Sequence, residues 1–298
     1  MEKTVGREYP FVVTGMPNEE YHSQNDHLRR SMIVQVAKYG GEAQRFIDDG
    51  HSLFKGSTAT TKGSRFDDLT MQLIEGKQFK DVVVQTPSEV LTKSGQRRGK
   101  PYLEWKSQQE KEGKICVSAD EEWELTMMVD HMMQNPVARE LIEETQQTQL
   151  SVFFLFDGVP CACRPDGNLP LDYSSELFPI PVWWDLKTTS STWDRIHVSS
   201  QAYGYAEQEA FYTEAAMQLG YKPHRMPFVF VQTVPPYRCR VFHIPQEVVD
   251  NARARISNTI AEIQLRRRTG IYLPVEADQI NELDVPQWAQ QEEELFNA

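Results

Sequence analysis

Apolar residues in the middle of the chain alternate or run continuously, as strands require. Gln149–Phe156 and Val159–Arg164 are two such runs split by Asp157-Gly158, which predicts a hairpin. Val182–Lys187 is a further strand, and Met226–Val234 and Tyr237–Pro245 are two more, with Pro235-Pro236 at the turn. In the last of these Arg238 and Arg240 face outward and Cys239 and Val241 inward.

Helical spacing dominates elsewhere. Ser118–Thr145 opens with a capping box, Ser118 to Glu121, and carries Trp123, Met127, Met128, His131 and Met132 as a core stripe. Asn135-Pro136 breaks it. Residues 201–220 form one helix in which Ala206, Ala210, Ala215 and Ala216 allow close packing and Gly220 marks the end. Gln246–Arg268 presents Val249, Ala252, Ile256, Ile260 and Ile263 on one side, with Arg266, Arg267 and Arg268 suiting its C-terminal dipole.

The N-terminal third is less regular, and residues 1 to about 30 give no firm element. Residues 23–50 suggest a helix capped at Ser23 or Asn25, part-buried at Met32, Val34, Val36 and Ala37, and interrupted at Gly40-Gly41. Residues 51–63 are small and polar, a loop. Gly63-Ser64 precedes a helix with Phe66, Leu69, Leu73 and Ile74 on its apolar side, and Asp81–Val84 is a short strand. These elements predict an α/β fold, a mixed central sheet flanked by helices. We expect one domain over residues 1–298, with a helical arm (about 1–60) and an acidic tail (about 273–298) docked by Trp288.

Composition narrows the class. Hydrophobic and charged fractions of 40% and 25% are those of an ordinary soluble protein. No apolar run is long enough to span a bilayer, and the first residues lack a signal-peptide pattern, so no membrane association is expected. The four cysteines do not have the spacing of a disulfide framework, which points to the reducing cytoplasm. Cys161 and Cys163 have no second pair at zinc or iron–sulfur spacing and read as buried small residues. A net charge of −12 argues against a protein that coats nucleic acid, but leaves room for an enzyme with a local basic channel.

Candidate chemistry gathers at the strand Val182–Lys187. Alternation puts Asp185 and Lys187 on one face with Trp183, and Trp184 and Leu186 on the other. With Asp166 from the neighbouring strand, Asp185 makes a doubly negative pocket that a divalent cation would relieve. Lys187 then stands where it can hold or deprotonate a water attacking a phosphodiester. Gln201, Tyr205, Gln208 and Tyr212 form a polar stripe on the following helix, which core packing does not ask for. Lys93, Arg97, Arg98, Lys100, Lys106, Lys111 and Lys114 are interleaved with Tyr102 and Trp105. The aromatics read best as anchors of a loop, while Arg97, Arg98 and Lys100 are candidates for DNA contact.

Pro165-Asp166, then Asp185-Leu186-Lys187, then Gln208-Glu209-Ala210-Phe211-Tyr212 resemble, in order, the active-site motifs of the PD-(D/E)XK (restriction-endonuclease-like) nucleases. From about Tyr21 to Trp288 the chain is similar to the exonuclease VIII-like branch of phage and prophage recombination enzymes. The resemblance implies a Mg²⁺-dependent exonuclease, Mn²⁺ substituting, that resects double-stranded DNA ends 5′ to 3′ in a bacterial or phage-infected cell. It implies a single-strand annealing protein as partner and, in some relatives, a ring-shaped homo-oligomer. Asp166, Asp185 and the Leu186 carbonyl would hold metal, with Lys187, Gln208 and Tyr212 beside them. The family places a His or an acid on the helix after Gly63; the matching residue here is Asp67 or Asp68. Gln149 stands where relatives have a Glu. These departures keep two rivals open: a non-catalytic DNA-binding or assembly protein with the same fold, and an endonuclease.

Overall fold

A computed structural model describes residues 8–51 and 58–273. The N-terminal part contains β1 (Phe11–Val13), α1 (Asn18–His22), β2 (Leu28–Arg29), α2 (Arg30–Asp48), α3 (Thr58–Ile74), α4 (Phe79–Val82) and β3 (Val83–Gln85). The middle contains α5 (Lys100–Lys111), β4 (Ile115–Val117), α6 (Ala119–Gln134), α7 (Pro136–Glu143), β5 (Gln147–Thr148), β6 (Ser151–Phe156), β7 (Val159–Cys163), β8 (Gly167–Asn168) and β9 (Trp183–Thr189). The chain continues through α8 (Ile196–Ala202), α9 (Tyr205–Gln218), β10 (Phe228–Gln232), β11 (Cys239–Phe242) and α10 (Gln246–Thr269).

The fold is mixed α/β, with helices flanking several sheets rather than one. One sheet has the order β1-β6-β7-β2, a second β11-β10-β9-β8-β5, and β3 pairs with β4. The second sheet positions the candidate chemistry. Its central strand β9 runs parallel to β10 and antiparallel to the short β8. Residues of β9 alternate between two cores. Trp183 packs with Phe154, Phe211 and Ile256, on the side of α2, α9 and α10. Trp184 and Leu186 pack with Phe66, Met128 and Leu141, on the side of α3, α6 and α7. All five predicted apolar positions of α10 are buried. Full burial of each large aliphatic side chain among them contributes about 1.5–3 kcal/mol.

Several elements differ from expectation, each for a local reason. The first long helix begins at Arg30, not near Ser23 or Asn25, because Leu28 and Arg29 pair with Cys161 and Ala162 of β7. Ser23 instead ends α1. The segment before Gly63 is not a loop throughout: α3 starts at Thr58, so Gly63 lies inside a helix. Asp81 and Val82 complete a single turn, and only Val83 onward is strand. Residues 201–220 are not one helix. Gly204 takes a left-handed conformation (φ 65°) that separates α8 from α9, so Gln201 does not continue the stripe of Tyr205, Gln208 and Tyr212.

The capping box of α6 and the break at Asn135 are present as predicted. The interruption of α2 is a kink at Gly40 (φ 72°), and the Gly41 N–H there donates to the Leu273 carbonyl at 3.0 Å. Cys161 and Cys163 are buried and free. The acidic tail with Trp288, and residues 1–7 and 52–57 of the arm, lie outside the described residues. Among the described residues no helix is long and apolar enough to cross a membrane.

Candidate functional site

The β8–β9 register builds the site. Gly167 pairs with Trp184 and Asn168 with Trp183. Continued by one residue, the register sets Asp166 opposite Asp185; continued by two, it sets Pro165 opposite Leu186. The approach of the strands is close: a β-carbon on Gly167 would stand 2.4 Å from Trp184 Nε1.

The edges of β9 are assigned by its hydrogen bonds. The Asp185 N–H donates to the Pro227 carbonyl on the β10 side. Leu186, the next residue, therefore turns its N–H and C=O to the β8 side. Its N–H donates to Asp166 Oδ2 at 2.7 Å. Extended by two residues, the register would set the Leu186 C=O opposite Pro165, which has no N–H to give. Regular pairing of β8 with β9 ends at Gly167, just before the carboxylates begin. The Gln149 N–H donates to the Asp166 carbonyl at 3.2 Å and holds that residue from its other side, while the Gln149 side chain is exposed.

Asp185 is 3% exposed and its Oδ2 pairs with Lys187 Nζ. Burial opposes the charge on Lys187, but Asp185 and Asp166 outweigh it and raise the ammonium pKa. The Asp166 carboxyl is pushed well up by burial and then by the negative field of Asp185. Lys187 Nζ also lies 5.2 Å from the centre of the Tyr205 ring, within cation–π range.

A third carboxylate arrives from α3. Gly63 packs against Thr188, so close that an added β-carbon would stand 2.5 Å from Thr188 Oγ1. One turn further along, Asp67 shares the same side of the helix. Burial raises its carboxyl to about 7, with Lys187 opposing and Asp185 adding to the shift. Asp67 Oδ1 is buried and has no hydrogen-bond partner among the described residues. Asp68, the other candidate, is exposed.

The helix α9 supplies the polar stripe. Gln208 is 2% exposed and its Oε1 has no hydrogen-bond partner among the described residues. The Tyr212 hydroxyl donates to the Arg164 carbonyl at 3.3 Å, just before Pro165-Asp166. Burial, then the charge of Asp185, hold that hydroxyl well above the usual tyrosine range.

The donor set fits a hard divalent cation. The negative field of Asp185 adds to burial in raising the cost of ionising both Asp166 and Asp67, and Asp67 keeps a buried oxygen that no described residue satisfies. Among the described residues no group of three or more His, Cys, Asp or Glu side chains is placed to hold a metal ion by itself. Mg²⁺ does not need one, since it retains several waters and takes one or two carboxylates together with substrate phosphates. Asp166, Asp185 and the Leu186 carbonyl are the best-placed donors, with Asp67 alongside.

Not every sequence candidate joins this group. Arg97 is tied to Glu121, which also accepts from Arg65 at 3.0 Å. Its guanidinium holds the segment ahead of α5 to the capping box of α6. Arg98 is exposed, and exposed Lys100 pairs with Glu104 at 3.7 Å. Tyr102 is buried and packs near Trp105, but both lie on the helix α5 and not on a loop. Tyr205, by contrast, was visible on the polar stripe without a role, and it is the ring beside Lys187. Gly63 was visible as a glycine but not as the contact that sets α3 on β9.

No described protein family and no curated protein matches the chain. Among solved structures it is similar to a Eubacterium rectale protein provisionally described as an exonuclease, with 16% identity over 92% of this chain and 96% of that one and a TM-score of 0.56. Another match is protein VC1899 from Vibrio cholerae, at 10% identity over 87% of this chain and 58% of that one, with a TM-score of 0.23. The first likeness shows that the mixed α/β fold is shared over nearly its whole length.

Proposed function

We propose that this protein is a Mg²⁺-dependent deoxyribonuclease that hydrolyses phosphodiester bonds from the ends of duplex DNA, with 5′ to 3′ polarity. The reading rests on one observation: Asp166 Oδ2 accepts from the Leu186 N–H, next to Asp185, whose carboxylate pairs with Lys187. The distant likeness to the Eubacterium rectale protein supports it.

Bound at these donors, the cation would lower the pKa of a water and offset charge building on the phosphate oxygens. Lys187 acts as a charged donor that holds the attacking water or a phosphate oxygen, because its neighbours favour the protonated form. Gln208 offers its free amide oxygen to orient water or the scissile strand. Tyr212 positions the Arg164–Asp166 segment through the Arg164 carbonyl. The setting that suits this activity is recombination or phage DNA metabolism in a bacterial cytoplasm, beside a single-strand annealing protein and with a ring-shaped assembly of copies of this chain.

End-labelled linear and closed circular duplexes, incubated with Mg²⁺, provide the test. We expect the linear DNA to shorten from its 5′ ends and the circle to survive. Asp185→Ala should abolish the reaction while leaving the circular dichroism spectrum intact. Undiminished activity in that variant would sink the assignment, and a nicked circle would make the enzyme an endonuclease.

A further inference from the structure

Three aromatic rings run in a stack from the core to the surface beside Lys187. Phe228, fully buried, lies 5.6 Å from Tyr205 with the rings 26° apart; Tyr205 lies 6.0 Å from Tyr203 at 28°. Tyr203 ends the stack and is 63% exposed. It occupies the break between α8 and α9, where Gly204 adopts φ 65°. The break is gripped from below: Arg30 Nη1 donates to the Tyr203 carbonyl at 2.7 Å. A β-carbon at Gly204 would meet Glu207 Oε2 at 3.2 Å and Val34 Cγ2 at 3.4 Å.

Core packing does not account for this ring, because most of it stays in solvent. Its backbone is nevertheless fixed, and its inner face rests on the same Tyr205 that Lys187 lies over. We propose that the outer face of Tyr203 takes an unpaired base of the DNA strand being cut, stacking it next to the scissile phosphate. The inference rests on the nuclease reading and deepens it by specifying the form of the substrate. A base inside a duplex already has stacking neighbours on both sides, whereas a frayed or overhanging base has a face to offer. Stacking on an aromatic side chain tolerates any base, so the contact selects for strand separation rather than sequence. Arg30, held under the turn, places a cation where the backbone of that strand would pass.

The test uses the full chain and duplexes with a short single-stranded end carrying 2-aminopurine, alongside the same DNA with abasic sites in the overhang. Cleavage in Mg²⁺ is followed first, and binding is then measured in the cleavage-deficient Asp185→Asn background. Tyr203→Ala should weaken binding of the overhang about tenfold and abolish the fluorescence quench, while Tyr203→Trp retains both. Abasic sites should cost the parent protein a similar factor and cost the Tyr203→Ala protein nothing more. If Tyr203→Ala binds and quenches like its parent, or loses equally on intact and abasic ends, the stacking proposal is overturned and the nuclease assignment stands. If the wild-type protein does not cut DNA with Mg²⁺, both are overturned.

Discussion

Gly63 of α3 lies against Thr188 of β9 with no room for a side chain between them: a β-carbon on Gly63 would stand 2.5 Å from Thr188 Oγ1. This contact sets how far the helix stands off the strand, and therefore where Asp67 reaches. Gly63→Ala should push α3 outward and lower Mg²⁺-dependent activity about tenfold or more, in the range expected when the support of a metal ligand is disturbed. Removing the obstructing hydroxyl in the double variant Gly63→Ala/Thr188→Ala should restore most of the loss. Steady-state rates on linear duplex decide it, and a double variant no better than the single one would refute the steric account.

On the β8–β9 register extended by two residues, Pro165 would stand opposite Leu186 with no N–H to offer it. Pro165→Ala supplies an N–H that can claim the Leu186 carbonyl. The new bond contributes about 0.5–1.5 kcal/mol, while the freer unfolded chain costs about 0.4–1 kcal/mol, so the two nearly cancel. The melting temperature should barely move. Activity should fall about tenfold, with a matching loss of Mn²⁺ affinity in calorimetry. Full activity in this variant would remove the carbonyl from the donor set.

Asp67 is costly to the protein without metal. Its carboxyl is pushed to about 7, and one of its oxygens is buried unpaired. Asp67→Asn should therefore raise metal-free stability at pH 8 by about 1–2 kcal/mol, since each pKa unit corresponds to about 1.4 kcal/mol and the group is only partly sheltered. The same change should weaken Mn²⁺ binding. A gain in stability coupled to a loss of affinity marks a functional carboxylate; denaturant melts and calorimetry measure the two sides.

Glu209, next to Gln208, is 1% exposed. Its Oε1 accepts from the Met226 N–H at 3.0 Å, and its Oε2 has no hydrogen-bond partner among the described residues. Burial raises its pKa to about 7. The fold therefore favours the protonated acid. That contribution to stability is complete below the ordinary glutamate value and is lost as pH rises through about 7. Between pH 5 and pH 8 the wild type should lose stability that Glu209→Gln keeps. Parallel pH profiles for the two proteins would show that Glu209 is not the group responsible.

The chemical core was more legible in the sequence than the frame around it. Strand alternation alone gave the two faces of β9, because a period of two leaves no choice once Trp184 and Leu186 are buried. The motif order put Asp166, Asp185 and Lys187 in one place, and the helical spacing of Tyr205, Gln208 and Tyr212 put them on one face. What was hidden depended on distant contacts. The start of α2 is decided by pairing of Leu28 and Arg29 with β7, more than a hundred residues away. The break at Gly204 leaves no trace in an alanine-rich segment that otherwise favours helix. The ion pair of Arg97 with Glu121 leaves no mark in the sequence either, because it depends on the fold bringing the segment ahead of α5 to the first turn of α6.

The proline at position 165 also bears on how such a hairpin can change over time. Almost any replacement would offer the Leu186 carbonyl an N–H at little net change for the scaffold and at a loss for the chemistry. Selection for sturdiness would thus be nearly indifferent at this single position, while selection for turnover would hold it. A lineage released from the need to cut should drift away from the imino acid there before it abandons the rest of the fold.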